Sequence, residues 1–153
     1  MVAAIRDPDP VVFMEPKRSY RAFREEVPEA EEVMEIGKAQ IVQEGSDLTL
    51  VSFGAMMRPT LAAAETIGQK RGVKIEIIDL LTISPLDIHT VVASVVKTGR
   101  CVIVQEAPRT LSVSSEIIAG INDRALMNLE APVRRVTGYD VVTPYFGREN
   151  MFL

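Results

Sequence analysis

The sequence predicts an α/β fold, a three-layer α/β/α sandwich on a mostly parallel sheet, and three observations support it. Short β-branched segments alternate with segments of helical period, at spacings of about 25 residues that are typical of βαβ units. The 153 residues are 47% hydrophobic and 25% charged, which suits one packed core and excludes a disordered chain. Right-handed crossovers between parallel strands would then place helices on both faces of the sheet.

The first 34 residues differ in composition from the rest of the chain. Residues 11–14 (VVFM) form a short apolar run between prolines, which predicts a single strand. The charge-rich residues 17–35 that follow predict a solvated linker. Because a lone strand cannot form a sheet, we predict that residues 1–34 are the tail of a preceding domain with its linker. Residues 35–153 are then the α/β domain.

The α/β domain begins with two predicted strands and a helix. Residues 39–42 predict a short strand at an antiparallel edge, and residues 48–53 predict a buried strand that Gly54 ends. A helix is expected from Arg58 to Arg71, because a proline suits its first turn and a glycine follows its end. The residues expected to form a small-residue face that packs closely on the sheet are Leu61, Ala64, Glu65, Ile67 and Gly68.

Strands and helices keep alternating in the second half of the chain. Strands are predicted over residues 73–80, 101–105 and 133–136, and a loop through residues 143–145 follows the last of them. Asp87 is placed to begin a helix over residues 88–98, and residues 112–115 are placed to cap another. The expected apolar faces are Ile88, Val91, Val92 and Val95 in the first helix, and Ile117, Ile118, Ile121, Ala125 and Leu126 in the second.

Composition argues against several classes of function. The formal net charge is -4 and the sequence pI is near 5.1, so nothing indicates nucleic acid or an anionic membrane surface as a partner. The sequence contains no apolar run of about 18 residues, so no membrane span is predicted. Its first residues also lack the apolar core of a signal peptide. One cysteine, Cys101, and one histidine, His89, argue against a disulfide and against a zinc or Cys–His catalytic cluster. A cytosolic globular domain is the expectation.

Ligands of open parallel sheets bind at the carboxyl ends of the strands, and the first such end carries an anion-site candidate. Gly54 follows a strand and precedes a helix N-terminus, where free N–H groups favour negative charge. Arg58 and Thr60 would add a cation and a hydroxyl. An ordinary strand-to-helix turn accounts for the same residues, and neither of the common glycine-rich phosphate motifs is present.

Other strand ends carry polar residues without a defined reaction. Asp79 is a candidate base or ribose ligand, or a carboxylate that fixes its own turn. Glu106 and Arg109 are expected to pair with each other or to face a partner subunit. His89 is expected to face solvent or a subunit, and Cys101 to be an inert small hydrophobe. No nucleophile has an evident base, so no catalytic, cofactor-binding or metal-binding residue is assigned.

Eight segments of the chain, taken together and in order, are distinctive. They are residues 12–21 (VFMEPKRSYR), 24–28 (REEVP), 36–39 (IGKA), 44–57 (EGSDLTLVSFGAMM), 78–87 (IDLLTISPLD), 94–100 (SVVKTGR), 104–110 (VQEAPRT) and 130–143 (EAPVRRVTGYDVVT). Together they resemble the β subunit of the decarboxylating component of 2-oxoacid dehydrogenases, the thiamine-diphosphate enzyme of the pyruvate, branched-chain and acetoin complexes. Residues 16–21 (PKRSYR) resemble branched-chain enzymes more than pyruvate ones.

The resemblance implies a fold, an activity and a set of partners. It implies a transketolase-type C-terminal domain, preceded by the end of the domain that holds the aminopyrimidine of the cofactor. The family's activating glutamate and active-site histidine lie in that preceding half, and the family continues into a terminal helix. The chain is therefore expected to be a fragment that neither binds thiamine diphosphate and magnesium nor catalyses the reaction alone. The holoenzyme would oxidatively decarboxylate a branched-chain 2-oxoacid such as 2-oxoisovalerate and transfer the acyl group to a lipoyl protein.

Implied partners are an alpha subunit, a second beta subunit and the lipoyl acyltransferase core, in the cytoplasm or, in a eukaryote, the mitochondrial matrix. The core's binding module is typically basic, so Glu116, Glu130 and Asp140 are candidate contacts. A helix-start carboxylate for Glu116 and a turn residue for Asp140 are the structural alternatives. The isolated chain is expected to form a homo-oligomer, because missing partners would leave apolar faces bare.

The chain differs from the family at two places, and two other functions are compatible with its sequence. Leu81 stands where relatives tend to have arginine, and residues 111–117 replace a glycine-rich turn, so contacts made there in relatives are in doubt. An independent α/β domain could bind a small molecule or anion through residues 54–60. A stand-alone oligomerisation module is the third function considered.

Overall fold

The computed structural model describes residues 1–22, 24, 26 and 33–142. Four helices and five strands alternate along most of this length, joined by short 3-10 turns. In chain order they are α1 (Val2–Arg6), β1 (Gln40–Gln43), β2 (Leu48–Ser52), α2 (Met57–Arg71), β3 (Ile75–Asp79), α3 (Ile88–Thr98), β4 (Cys101–Pro108), α4 (Val113–Ala125) and β5 (Arg134–Gly138).

The strands form one sheet in the order β1-β3-β2-β4-β5. Strands β2 to β5 pair in parallel, while β1 pairs antiparallel with β3, so the predicted antiparallel edge strand is confirmed. In the centre of the sheet, Leu50 lies opposite Ile77 on one side and Val102 on the other.

Helices cover both faces, as predicted for a three-layer sandwich. On one face, Met57 and Ala64 of α2 pack with Leu50, Ile75 and Ile77 of the sheet. The other face carries α3 and α4 over a larger core, whose fully buried members include Val51, Ile78, Val91, Val95, Ile103, Ile117 and Ile121. Because β-branched side chains fill the pleats on both faces, the central strands are apolar without strict alternation.

Helix α3 has the predicted bounds because both of its ends carry specific signals. The carboxylate of Asp87 accepts a hydrogen bond from the Thr90 N–H at 3.1 Å, which caps the first turn. Gly99 ends the helix at a φ of 68°, where glycine adopts the left-handed conformation without strain.

Three predictions at the element level are wrong. Residues 11–14 form no strand: they are exposed and lie outside the sheet, because no described strand is available to pair with them. Helix α2 buries Ala64 as predicted, together with Met57 and Thr60, but the predicted face fails at Leu61 and Ile67, which are 42% and 43% exposed. Leu126 is 55% exposed because α4 has already ended.

The predicted loop at residues 143–145 lies outside the described residues. Within the described part, none of the helices is long and apolar enough to cross a bilayer.

Candidate functional site at the carboxyl edge of the sheet

The carboxyl ends of the four parallel strands meet at one edge of the sheet, here called the carboxyl edge. It consists of the loops after β2, β3, β4 and β5. The opposite edge is called the amino edge. Because β1 is antiparallel, its first residue Gln40 lies opposite Asp79, at the carboxyl edge. The chain therefore enters the sheet at the same edge where ligands of such folds usually bind.

The proposed anion site lies in the loop after β2, and its residues face different surroundings. Gly54 has a φ of 57° and begins a 3-10 turn. The Gly54 carbonyl accepts a hydrogen bond from the Met57 N–H. The hydroxyl of Thr60 is buried and donates to the Met56 carbonyl at 2.7 Å. Arg58 is exposed. The structure therefore places an exposed cation and a buried hydroxyl, already bonded to the Met56 carbonyl, in different surroundings, and anion binding there stays a prediction.

The loop after β3 is a tight turn centred on Leu81. The Leu80 carbonyl accepts from the Thr82 N–H at 2.5 Å, and Leu81 has a φ of 56°. The Asp79 carboxylate accepts from the Leu81 N–H at 3.2 Å. Partial burial raises the pKa of Asp79, and the hydrogen bond from Leu81 only partly opposes it. Asp79 thus fixes its own turn, the structural alternative considered for it.

Asp87 joins that loop to the incoming chain, a role that sequence reasoning missed. Besides capping α3, its carboxylate accepts from the Ala39 N–H at 3.0 Å and from the Thr90 hydroxyl at 2.7 Å. Burial would raise the pKa of Asp87, but these hydrogen bonds outweigh it and hold the pKa below its usual value. Nearby, the Gly37 N–H donates to the Thr82 hydroxyl at 3.1 Å.

Asp140 ties the loop after β5 to the loop after β4. Its two carboxylate oxygens accept from the Thr110 N–H at 2.9 Å and from the Thr110 hydroxyl at 2.7 Å. These bonds lower the pKa of Asp140. Leu111, which follows Thr110 in the chain, has a φ of 53° and is 98% exposed. Asp140 therefore acts as the turn residue considered in the sequence analysis, and its hydrogen bonds to Thr110 fix the loop that carries Leu111.

The three candidate partner contacts do not form one cluster. Glu116, in the first turn of α4, lies at the carboxyl edge with Asp140 and is exposed. Glu130 lies at the amino edge, where its N–H donates to the Gly99 carbonyl at 2.8 Å and its carboxylate pairs with Arg100. Among the residues described, Glu116 makes no side-chain hydrogen bond or ion pair, so it alone of the three has an unengaged carboxylate.

A buried carboxylate at the amino edge was not predicted. Glu76 in β3 is fully buried, and its Oε2 accepts from Lys97 and from the Gly45 N–H. Lys97 also pairs with Glu44 at 3.1 Å. Burial alone would raise the pKa of Glu76, but the hydrogen bonds from Lys97 and from the Gly45 N–H prevail and lower it. The only sequence signal was a glutamate between the isoleucines of a strand predicted to be buried.

The remaining candidates supply no reactive group. His89 is exposed, and burial raises the pKa of the Cys101 thiol to about 12. Within residues 33–142, Glu106 and Arg109 are exposed and form no ion pair with each other. In the part of the chain described, no group of three or more His, Cys, Asp or Glu side chains could hold a metal ion. The described residues therefore offer no ligand cluster for the magnesium ion that the resemblance implies for the holoenzyme.

The sheet order and the antiparallel first strand define the fold with which known proteins can be compared. Residues 37–152 match the family model described as "Transketolase, C-terminal domain", and the chain belongs to this family. A solved structure of a split-gene transketolase, an inactive β4 tetramer, is similar in fold: its TM-score is 0.67 at 24% identity, over 80% of this chain and 39% of that one.

Curated relatives confirm the resemblance to 2-oxoacid dehydrogenase β subunits. The pyruvate dehydrogenase E1 component subunit beta of Bacillus subtilis is 48% identical over 153 residues, which is 100% of this chain and 47% of the relative. The subunits of the same name from Staphylococcus epidermidis and Staphylococcus aureus are 48% and 45% identical over the same spans. The chain thus spans about half the length of the curated relatives it matches.

Proposed function

We propose that the chain is the C-terminal domain of the β subunit of a thiamine-diphosphate-dependent 2-oxoacid dehydrogenase, and that it assembles the enzyme rather than performing its chemistry. The observation that carries this is 48% identity to such a β subunit across all 153 residues. The surfaces described above are consistent with it, because they offer ion pairs, turns and exposed apolar side chains instead of a reactive cluster.

Thiamine diphosphate and magnesium are proposed to bind elsewhere in the holoenzyme. The described residues supply no metal-ligand cluster, so no step of the reaction is assigned to them. The holoenzyme's proposed reaction is oxidative decarboxylation of a 2-oxoacid with transfer of the acyl group to a lipoyl protein, in the cytoplasm.

The substrate has two candidates. Residues 16–21 favour a branched-chain 2-oxoacid such as 2-oxoisovalerate, which stays a prediction. The names of the curated relatives favour pyruvate. We therefore propose a short 2-oxoacid as the substrate class, and a direct comparison of these two compounds decides between them.

The test uses the full-length β subunit that contains this chain, co-expressed with the alpha subunit. We expect the two to co-purify and to decarboxylate one of the two 2-oxoacids in the presence of thiamine diphosphate and magnesium. A full-length subunit that neither binds an alpha subunit nor supports decarboxylation of either compound would refute the proposal.

The acyltransferase core is the proposed partner of the carboxyl edge, and Glu116 is its first candidate contact. We expect Glu116→Gln in the assembled enzyme to weaken binding of the core's basic binding module by roughly fivefold, because a charge pair at an interface is lost. Asp123→Asn removes the same charge further along α4, where Asp123 is also exposed, and serves as the matched control. Equal affinities of both variants and the wild type, measured by calorimetry, would exclude Glu116 from the contact.

A small-molecule or anion-binding role for Gly54, Arg58 and Thr60 remains the alternative. Saturable stabilisation by phosphate that is lost in Arg58→Ala would support it.

A further inference from the structure

Gln105 in β4 carries a buried side-chain amide that bonds three backbone groups. The residue is 1% exposed. Its Nε2 donates to the carbonyls of Ala107 and Pro108 at 3.2 Å and 3.0 Å, and its Oε1 accepts from the Ser114 N–H at 3.0 Å. Both polar atoms of the amide are thereby satisfied, as burial requires. One side chain therefore holds the end of β4 and the first turn of α4 together.

The loop between β4 and α4 is also held from outside. The Arg109 carbonyl accepts from the Ser112 hydroxyl at 3.2 Å and from Arg135 Nη1 of β5 at 3.1 Å. A carboxylate of the loop after β5 binds it as well. Within this frame Leu111 keeps a φ of 53°, a strained conformation for leucine that persists only where its surroundings fix it. The loop therefore has one defined shape, and Gln105 is its buried support.

The first turn of α4 carries Glu116, two residues beyond the N–H that Gln105 binds. Arg135 Nη1 donates to the Ser115 hydroxyl in the same turn at 2.9 Å. In the part of the chain described, the Glu116 side chain is exposed and makes no hydrogen bond or ion pair that would orient it. The direction of an exposed helical side chain follows the backbone that carries it. The position of the Glu116 carboxylate therefore depends on the groups that fix this turn.

We infer that Gln105 is a positioning residue for the contact with the acyltransferase core: its amide fixes the first turn of α4 and, through that turn, the carboxylate of Glu116. This inference rests on the proposed function, under which Glu116 meets the core's basic binding module. An apolar side chain of similar size would fill the same space without the cost of burying an amide, but it would hold neither segment. The supporting role accounts for the amide, whereas packing alone does not.

The test compares Gln105→Met with Thr49→Val in the assembled enzyme. Methionine keeps the approximate volume of glutamine and removes the three hydrogen bonds. Thr49 is the matched control, because it is fully buried in the neighbouring strand β2 and its hydroxyl bonds Ser94 and Thr98 at the amino edge. Both variants should lower the Tm. Only Gln105→Met should weaken binding of the core's purified basic binding module, by roughly fivefold in calorimetry.

A double-mutant cycle shows whether Gln105 acts through Glu116. We expect Glu116→Gln to weaken binding in the wild-type background and to have almost no further effect in Gln105→Met, because a misplaced carboxylate no longer pairs with the module. A lost buried contact that only destabilised the fold would not produce this dependence. Additive effects would overturn the inference, as would an effect of Gln105→Met without one of Glu116→Gln, or wild-type affinity in Gln105→Met.

Ser112→Ala decides the question if Gln105→Met does not fold. It removes the bond from the Ser112 hydroxyl to the Arg109 carbonyl, which lies at the surface of the loop. We expect it to weaken binding of the module in the same direction, again without further effect of Glu116→Gln. Wild-type affinity of Ser112→Ala would overturn the inference.

Activity separates this inference from the proposed function. If the enzyme decarboxylates a 2-oxoacid but Gln105→Met binds the module as the wild type does, the inference alone fails. If binding depends on Gln105 through Glu116 but no 2-oxoacid is decarboxylated, the proposed function alone fails.

Discussion

Glu76 and Lys97 illustrate how single residues bind distant parts of this chain together. Lys97, near the end of α3, forms an ion pair with the fully buried carboxylate of Glu76 in β3. Lys97 also pairs with Glu44 in the loop before β2. A buried charge is tolerated only with a partner, because burial removes its hydration. One lysine therefore joins a helix, a strand and a loop at the amino edge.

Removing Lys97 should lower the free energy of unfolding more than removing an exposed, unpaired charge does. We predict that Lys97→Met lowers the free energy of unfolding by more than the loss of an unpaired surface lysine does, because it leaves the buried Glu76 carboxylate without its cation. Lys70→Met is the control, since Lys70 occupies the last turn of α2 as Lys97 does in α3. Urea denaturation of both variants measures the difference, and equal midpoints would contradict a structural role for the pair.

Contacts of this kind lay beyond sequence reasoning. The hydrogen bonds between Thr110 and Asp140 join residues 30 positions apart, and Lys97 and Glu44 are 53 apart. No periodic pattern indicates such pairs, because they depend on which loops the topology brings to one edge of the sheet. The sequence singled out Glu116, Glu130 and Asp140 as carboxylates, but it could not reveal that two of them are already engaged.

At the scale of elements, predictions succeeded where local signals agreed. Helix α3 has an acidic N-cap, a continuous apolar face and a glycine at its end, and its bounds are the predicted ones. Helix α2 lacks a strong apolar stripe, so its sequence does not show which face of the helix packs on the sheet. Residues 11–14 have strand-like composition without a described neighbour, and pairing rather than propensity decides whether a strand forms.

The cap of α3 has a predictable pH dependence. We expect Asp87→Asn to lower the free energy of unfolding at pH 7 by about 1–2 kcal/mol, because the charge-assisted bonds to Ala39 and Thr90 are weakened. The folded-state pKa of Asp87 lies below its usual value of 3.8. Its contribution is therefore complete above pH 3.8 and is lost as the pH falls through the folded-state pKa.

Denaturation curves of the wild type and Asp87→Asn between pH 7 and pH 3 measure this contribution. The difference between the two proteins should be constant down to about pH 4 and shrink below it. A difference that grew with acid would show that the carboxylate does not stabilise the fold in its ionised form.

At the scale of the whole molecule, one face of the sheet is only partly covered. Helix α2 packs on β2 and β3, and on the same face Val136 of β5 is 53% exposed. Leu111 and Tyr139 at the carboxyl edge are 98% and 69% exposed. We predict that another protein surface covers these exposed apolar side chains in the assembled enzyme.

The 153-residue chain on its own should therefore self-associate. We expect sedimentation velocity at tens of micromolar to show dimers or larger species, with the proportion rising with concentration. A single monomeric species over the whole concentration range would argue against bare assembly surfaces.

We propose that this domain belongs to a thiamine-diphosphate enzyme but does not itself hold the cofactor. Calorimetric titration of thiamine diphosphate and magnesium into the 153-residue chain measures this, with a cooperative thermal transition as proof that the chain is folded. We expect no saturable heat of binding. Micromolar binding of the cofactor by this chain alone would refute the proposal.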